Sequence, residues 1–457
     1  MTFRPMESNL SSPTPLRSLS TGNVSAQVSE LGGRAVVQVR IDPTVKRGAL
    51  DETSGKNLAN AAQVALDERI PLVAVITSSG ADVNDGVAAL HGWGCAAASI
   101  TSCSGVVPII FVVTGPTISG PALLLGLADI VIFTKSASAY VMGPGSVASF
   151  TGEEVSVEDL GGAEVHGAHT GVAAAIVSDE TAGLELVESI LSLLPGNCDE
   201  EPPRLATYDP PERLTPEAGE LLPTTATGSY DISQVVRSIA DEGDFLELWP
   251  GWARNIVVGL ATIDGRAVGI VANQPIALAG TLNIQASQKG ARFVTFCDAF
   301  NIPLVTLVDT PGFFPGKDLE WRGMIRHGAQ LVGAYARATV PRVCVLLRKA
   351  YGGAYIVMDS KQMGNDVCIA WPTAEIAVMG ARQAVEILHR RETSEVRAQR
   401  EADYTESLLN PWIAAERGLI DMVIEPAETR ATIASALEML STKREVLLPK
   451  RHDNLPL

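Results

Sequence analysis

Two loops carry the residue types from which chemistry could come. Arg348-Lys349-Ala350-Tyr351-Gly352-Gly353-Ala354-Tyr355 follows directly on the apolar run Val343–Leu347. Consecutive Gly-Gly-Ala lets main-chain N–H groups approach a ligand with no side chain in the way. Aimed at a carbonyl oxygen, such amides form an oxyanion hole for an enolate or a tetrahedral centre. The same residues serve equally well as a tight strand-to-helix turn, and spacing alone does not choose between the two. Thr117-Ile118-Ser119-Gly120-Pro121-Ala122 occupies the corresponding place earlier in the chain. Two such loops suggest two carbonyl-holding sites.

Other chemistries find little support. The six histidines include no H-E-x-x-H, and His166 and His169 stand among glycines and alanines without a third ligand, so no metal is expected. Asp309 ends an apolar run before Thr310-Pro311-Gly312-Phe313 and reads as a turn-maker rather than a base. Gly143-Pro144-Gly145-Ser146 lacks the nucleophile-elbow spacing, and no P-loop is present. Cys95, Cys103, Cys198, Cys297, Cys344 and Cys368 form no C-x-x-C pair and mostly sit in apolar runs. Free buried thiols in a reducing compartment, and so a cytoplasmic location, are the expectation.

The elements that position these loops are written twice. Leu31–Val36 recurs as Ile263–Val268, and Arg69–Val73 as Asn301–Val305, both at an offset of 232. Gly120 then matches Gly353 at 233, and Val141-Met142-Gly143 matches Val378-Met379-Gly380 at 237. So near-constant an offset implies two units of one fold. Strands are predicted over Val36–Ile41, Leu72–Thr77 and Ile109–Val113, and again over Val268–Ala272, Leu304–Asp309 and Val343–Leu347. Helices are predicted over Asn57–Asp67 and Ser287–Phe300. This alternation, with runs apolar on both faces, implies an α/β fold with a largely parallel sheet. In such sheets ligands collect where strands end and loops begin.

A net charge of −17 argues against nucleic acid and anionic membrane as partners. The polar start Met1–Pro15 lacks the apolar stretch of a signal peptide. Pro108, Pro116, Pro121 and Asp129 interrupt the apolar stretch Val106–Phe133, which favours strand, turn, helix and strand over a membrane span. Residues 197–229 hold six prolines and read as a linker. Residues from about Glu392 to Asp403 read as a charged surface helix.

At these residues the chain resembles the carboxyltransferase (beta) subunits of biotin-dependent acyl-CoA carboxylases of the propionyl/acetyl type. The resemblance is carried by Asn273-Gln274-Pro275, Ala291–Phe300, Val308–Phe313, Arg348–Tyr355, Ala370–Gly380 and the closing His452–Leu457. It implies tandem duplicated crotonase-like domains. These are a divergent acyl-CoA side over 1–196, the Pro-rich linker over 197–229, and a biotin side over 230–457. The implied reaction moves a carboxyl group from carboxybiotin, held by a biotin carboxylase/biotin carrier (alpha) subunit, to the α-carbon of an acyl-CoA. It needs no metal and no acid–base side chain.

By the same resemblance the amides of Gly353 and Ala354, in a biotin loop with Tyr351 and Gly352, hold the ureido oxygen. Those of Ser119 and Gly120 hold the thioester enolate, and Gly80, Ala81 and Ile356 line the substrate. Ile at 356 tilts away from strict propionyl specificity. A homo-hexamer, a trimer of dimers, is the implied assembly. A decarboxylase of a malonyl-type thioester and a non-catalytic structural subunit are the competing expectations. The first unit departs from the pattern: Ser119 replaces the first glycine of a pair, and Asp82 replaces an arginine. Restoring the pattern with Ser119→Gly is expected to raise activity on short acyl-CoAs.

Overall fold

The computed structural model describes residues 14–15, 22–225, 228–452 and 454. Most of the polar start and nearly all of the closing Asp453–Leu457, both used above, lie outside the described residues, as do Ala226 and Thr227. The chain divides into two compact units between Glu201 and Pro202.

The first unit holds one sheet built from β1 (Thr14–Pro15), β2 (Val24–Leu31), β3 (Arg34–Ile41), β4 (Leu72–Ser78), β5 (Ile109–Ile118), β6 (Ile130–Thr134), β7 (Ser138–Tyr140) and β8 (Ala175–Val177). Its order is β1-β2-β3-β4-β5-β6-β8, with β7 paired to the end of β5. The second unit repeats this order with β9 (Phe245–Leu248), β10 (Ile256–Ile263), β11 (Arg266–Asn273), β12 (Leu304–Thr310), β13 (Arg342–Tyr351), β14 (Val367–Ala370) and β16 (Met422–Val423). Here β15 (Glu375–Ala377) pairs with the end of β13. The expected α/β class and its duplication are both present.

The sheets are largely parallel, as expected, but each carries an antiparallel edge. Pairing is parallel from β3 and β11 onward, but β2–β3 and β10–β11 are antiparallel hairpins. Their turns are Gly32-Gly33 (φ 56° and 79°) and Asp264-Gly265 (φ 54° and 70°). Two successive positive φ values are what a two-residue hairpin turn demands. The central strands β4 and β12 are buried along almost their whole length, as strands covered by helices on both faces must be.

Helix α1 (Glu52–Glu68) packs on α2 (Val87–Cys103), and α4 (Ile284–Ala299) on α5 (Met324–Arg337). Both α1 and α4 begin a turn earlier than predicted. Asp51 and Asn283 cap them by accepting the amides of Ser54 (2.8 Å) and Ala286 (2.9 Å). The first turn of α1, Glu52-Thr53-Ser54-Gly55, has no apolar period to betray it. α1 and α2 cross so closely that a Cβ on Gly55 would lie 2.2 Å from the carbonyl carbon of Gly92.

Most of the Pro-rich segment is bound to the second unit, through Leu205 N–H to Gly265 O (2.7 Å) and Thr215 N–H to Ala427 O (2.8 Å). The charged helix is found at Ser394–Tyr404, with no buried residue. All six cysteines are free thiols.

Candidate active site

In the second unit β13 ends at Tyr351, and a short helix, α6 (Gly352–Val357), starts at the next residue. Gly352 has φ 59°, and a Cβ there would lie 3.0 Å from Val378 O, so the turn itself requires glycine. Gly353 is different. Its φ is outside the left-handed region, and an added Cβ would meet only Phe313 Cε2, at an ordinary 3.6 Å. Glycine within a helix costs about 1 kcal/mol relative to alanine. Neither crowding nor backbone conformation requires it here, so what glycine preserves is open approach to the main chain.

Around this loop, Ala354 is fully buried, Tyr351 is buried with its hydroxyl donating to the Glu375 carboxylate, and Ile356 is partly exposed on α6. Burial and the Glu375 carboxylate push the Tyr351 phenol up, so it remains a donor. Beneath lies a buried ion pair that links β12 to β13. Arg348 Nε donates to Asp309 Oδ2 (3.0 Å), as does the Tyr230 hydroxyl (3.0 Å), and Lys349 N–H donates to Asp309 Oδ1 (3.1 Å). Burial pushes the Asp309 carboxyl up while Arg348 pulls it back. A carboxyl receiving all three of these bonds is in its charged form. Asp309 is therefore neither a base nor merely a turn-maker; it ties down the strand that delivers the glycine loop.

In the first unit the loops after β4 and β5 converge. A Cβ on Gly80 (φ 106°) would lie 3.5 Å from Ile118 O and 3.7 Å from Ser119 Cβ. Gly80 and Asp82 are held by a bridge to Leu50, through Leu50 N–H to Gly80 O (2.8 Å) and Asp82 N–H to Leu50 O (2.8 Å). Asp82 is buried and accepts from Lys46 Nζ (2.7 Å), which supplies a counter-charge to its carboxylate.

Gly120 opens the short helix α3 (Gly120–Leu124). A Cβ on it would stand 2.7 Å from Trp93 Nε1, so here packing does require glycine. The Ser119 amide, expected to face a thioester, instead donates to Tyr140 O (3.0 Å), and is used to seat β7 against β5. The structure thus gathers Gly80, Ala81, Ser119 and Gly120 in one unit. It gathers Tyr351, Gly352, Gly353, Ala354 and Ile356 in the other. The sequence did not point to Trp93, Glu375 or Tyr230, because no spacing rule links them to the loops they touch.

His166 supports β7 from behind. Its Nε2 lies 2.7 Å from Ala139 O, which can only accept, so Nε2 carries the proton and Nδ1 accepts from Thr170 Oγ1 (2.8 Å). Burial lowers its pKa below the ordinary 6.5. The unfolded chain therefore takes up the proton first, and this contribution to stability is present above 6.5 and lost as pH falls below it. The melting temperature should fall between about pH 7 and 5.5, less steeply in His166→Gln. Parallel profiles would show that another group titrates.

Among the described residues no group of His, Cys, Asp or Glu is arranged to hold a metal ion, and no helix is long and apolar enough to cross a membrane.

The family model described as the carboxyl transferase domain matches residues 3–455. A propionyl-CoA carboxylase beta chain from Roseobacter denitrificans is 43% identical over 430 residues, covering 93% of this chain and 84% of the relative. A methylmalonyl-CoA decarboxylase subunit alpha from Veillonella parvula is 42% identical over 428 residues, with the same coverage of 93% and 84%. Among solved structures, a hexameric transcarboxylase 12S with methylmalonyl-coenzyme A and methylmalonic acid bound superposes with a TM-score of 0.93. That match is at 41% identity, over 95% of this chain and 85% of that one. With two duplicated α/β units and matching loops at their strand ends, the chain belongs to the carboxyl transferase domain family.

Proposed function

We propose that this chain is the carboxyltransferase subunit of a biotin-dependent acyl-CoA carboxylase. The observation that carries the reading is Gly353, a helical glycine that neither strain nor crowding explains, on the loop of a family whose members transfer carboxyl groups. Carboxybiotin, brought by a biotin carboxylase/carrier subunit, supplies the carboxyl group. The amides of Gly353 and Ala354 would hold its ureido oxygen, on a loop that Tyr351, Glu375 and Gly352 keep in shape.

In the first unit Gly120, with Ser119, Gly80 and Ala81 around it, would hold the acyl-CoA thioester. Donors there lower the energy of the enolate, and the α-proton would go to the biotin ureido nitrogen freed of its carboxyl group, so no side-chain base is needed. Ile356 would leave room for chains other than propionyl. The hexamer of the transcarboxylase 12S structure supports a homo-hexamer here, and the free thiols fit a cytoplasmic enzyme.

The decarboxylase relative, at nearly the same identity as the carboxylase, favours a second reading in which the transfer runs backwards from a malonyl-type thioester. One experiment separates them. The chain is combined with a biotin carboxylase/carrier subunit, ATP and labelled bicarbonate, and acyl-CoAs from two carbons upward are screened for acid-stable label. Incorporation is expected. No label, with CO2 released from a malonyl-type thioester in the presence of the biotinylated carrier, would instead assign the decarboxylase.

A further inference from the structure

Resting on the carboxyltransferase reading, we propose that the Ser119 hydroxyl is a hydrogen-bond donor to the acyl-CoA thioester oxygen, replacing a main-chain donor that the first unit lacks. At the offset of 233 that aligns Gly120 with Gly353, Ser119-Gly120-Pro121 stands where the second unit has Gly352-Gly353-Ala354. The second unit offers the amides of Gly353 and Ala354. The first cannot offer the same pair, because Pro121 has no N–H. Nor can the Ser119 amide make up the loss, since it is bonded to Tyr140 O at 3.0 Å. Of these three positions, only Gly120 retains an amide for a ligand, and one donor makes a poor oxyanion hole.

The side chain of Ser119 has what the missing amide had. It sits at φ 61°, ψ −129°, a conformation that a Cβ disfavours and that glycine would adopt freely. Serine is held there nonetheless. The residue is exposed, and its hydroxyl has no hydrogen-bond partner among the described residues. Its Cβ is 3.7 Å from where a Cβ on Gly80 would stand, which places the side chain where the two loops converge. The other unpaired donor nearby, Trp93 Nε1, is sealed from solvent against Gly120 and offers nothing to a ligand.

A strained position and an unpaired hydroxyl, on the one loop where an amide is missing, have a common explanation in a bound carbonyl oxygen. As the α-proton passes to the biotin ureido nitrogen that has given up its carboxyl group, the thioester oxygen gains charge, and the serine O–H donates to that oxygen and keeps its proton. No covalent bond to the serine forms.

The test uses the full chain with its biotinylated partner, ATP and labelled bicarbonate, comparing wild type with Ser119→Ala and Ser119→Gly. Both variants should lose roughly ten- to a hundredfold in kcat for acyl-CoA carboxylation with KM for acyl-CoA little changed, as expected for a donor felt mainly in the transition state. Ser119→Gly should also melt higher than wild type, so its lower turnover cannot be ascribed to unfolding. Unchanged turnover in an active background, or the rise with Ser119→Gly that the family pattern alone suggests, would overturn the assignment and leave the carboxyltransferase reading standing. Absence of label with the wild-type chain would overturn that reading, and the serine's role with it.

Discussion

Gly353→Val is expected to lower carboxyl transfer at least a hundredfold while moving the melting temperature by no more than a few degrees. The structural side follows from space and backbone. Valine at 353 meets no left-handed φ, and its Cβ would sit 3.6 Å from Phe313 Cε2. A β-branched residue loses some side-chain freedom in a helix, but replacing glycine recovers helix propensity, and the two nearly cancel. The functional side follows from the same space. The valine methyl groups would occupy the open approach to the amides of Gly353 and Ala354, and losing one oxyanion donor typically costs about 10²–10³ in rate. Gly352→Val is the contrasting control. With φ 59° and Val378 O at 3.0 Å from the new Cβ, it should lose stability together with activity. If Gly353→Val transfers normally, the loop is only a turn.

The duplication was legible because glycine and helix-end positions are forced by backbone geometry and therefore repeat. Arg47 and Ala279 have φ 55° and 54°, Gly48 and Gly280 both 73°, and Arg69 and Asn301 58° and 55°, each pair at the offset read from the sequence. Gly48 and Gly280 would each drive a Cβ into a strand-end carbonyl, Thr77 O at 2.2 Å and Asp309 O at 2.5 Å. Such constraints leave a mark in one residue type at one position.

Contacts through space leave none. The antiparallel hairpins were hidden in a pattern that looked parallel, since a buried strand is apolar in either direction. The commitment of the Ser119 amide depends on Tyr140, beyond a helix and β6 in the chain. The role of Asp309 depends on Tyr230 and Arg348, 79 and 39 residues away.

That last network makes the second large prediction. Asp309→Ala should destabilise the protein by about 3–5 kcal/mol, the usual cost of leaving one member of a buried ion pair alone. Arg348 is only 8% exposed and would keep Gly228 O (2.9 Å) as an acceptor but lose its counter-charge. Lys349 N–H and the Tyr230 hydroxyl would lose their acceptor as well. Arg348→Met should cost a similar amount by stranding the carboxylate.

The double variant, with neither charge left buried, should lose clearly less than the sum of the two, because the members of a contacting pair are coupled. Denaturant melts of the four proteins measure that coupling, and strict additivity would refute the pairing. Transfer should behave differently from stability. Asp309 anchors the amide of Lys349, two residues before Tyr351, so the regained stability comes without the anchor that aims the glycine loop. The double variant is therefore expected to refold well and still turn over slowly. Recovery of both properties would mean that the network serves the fold alone.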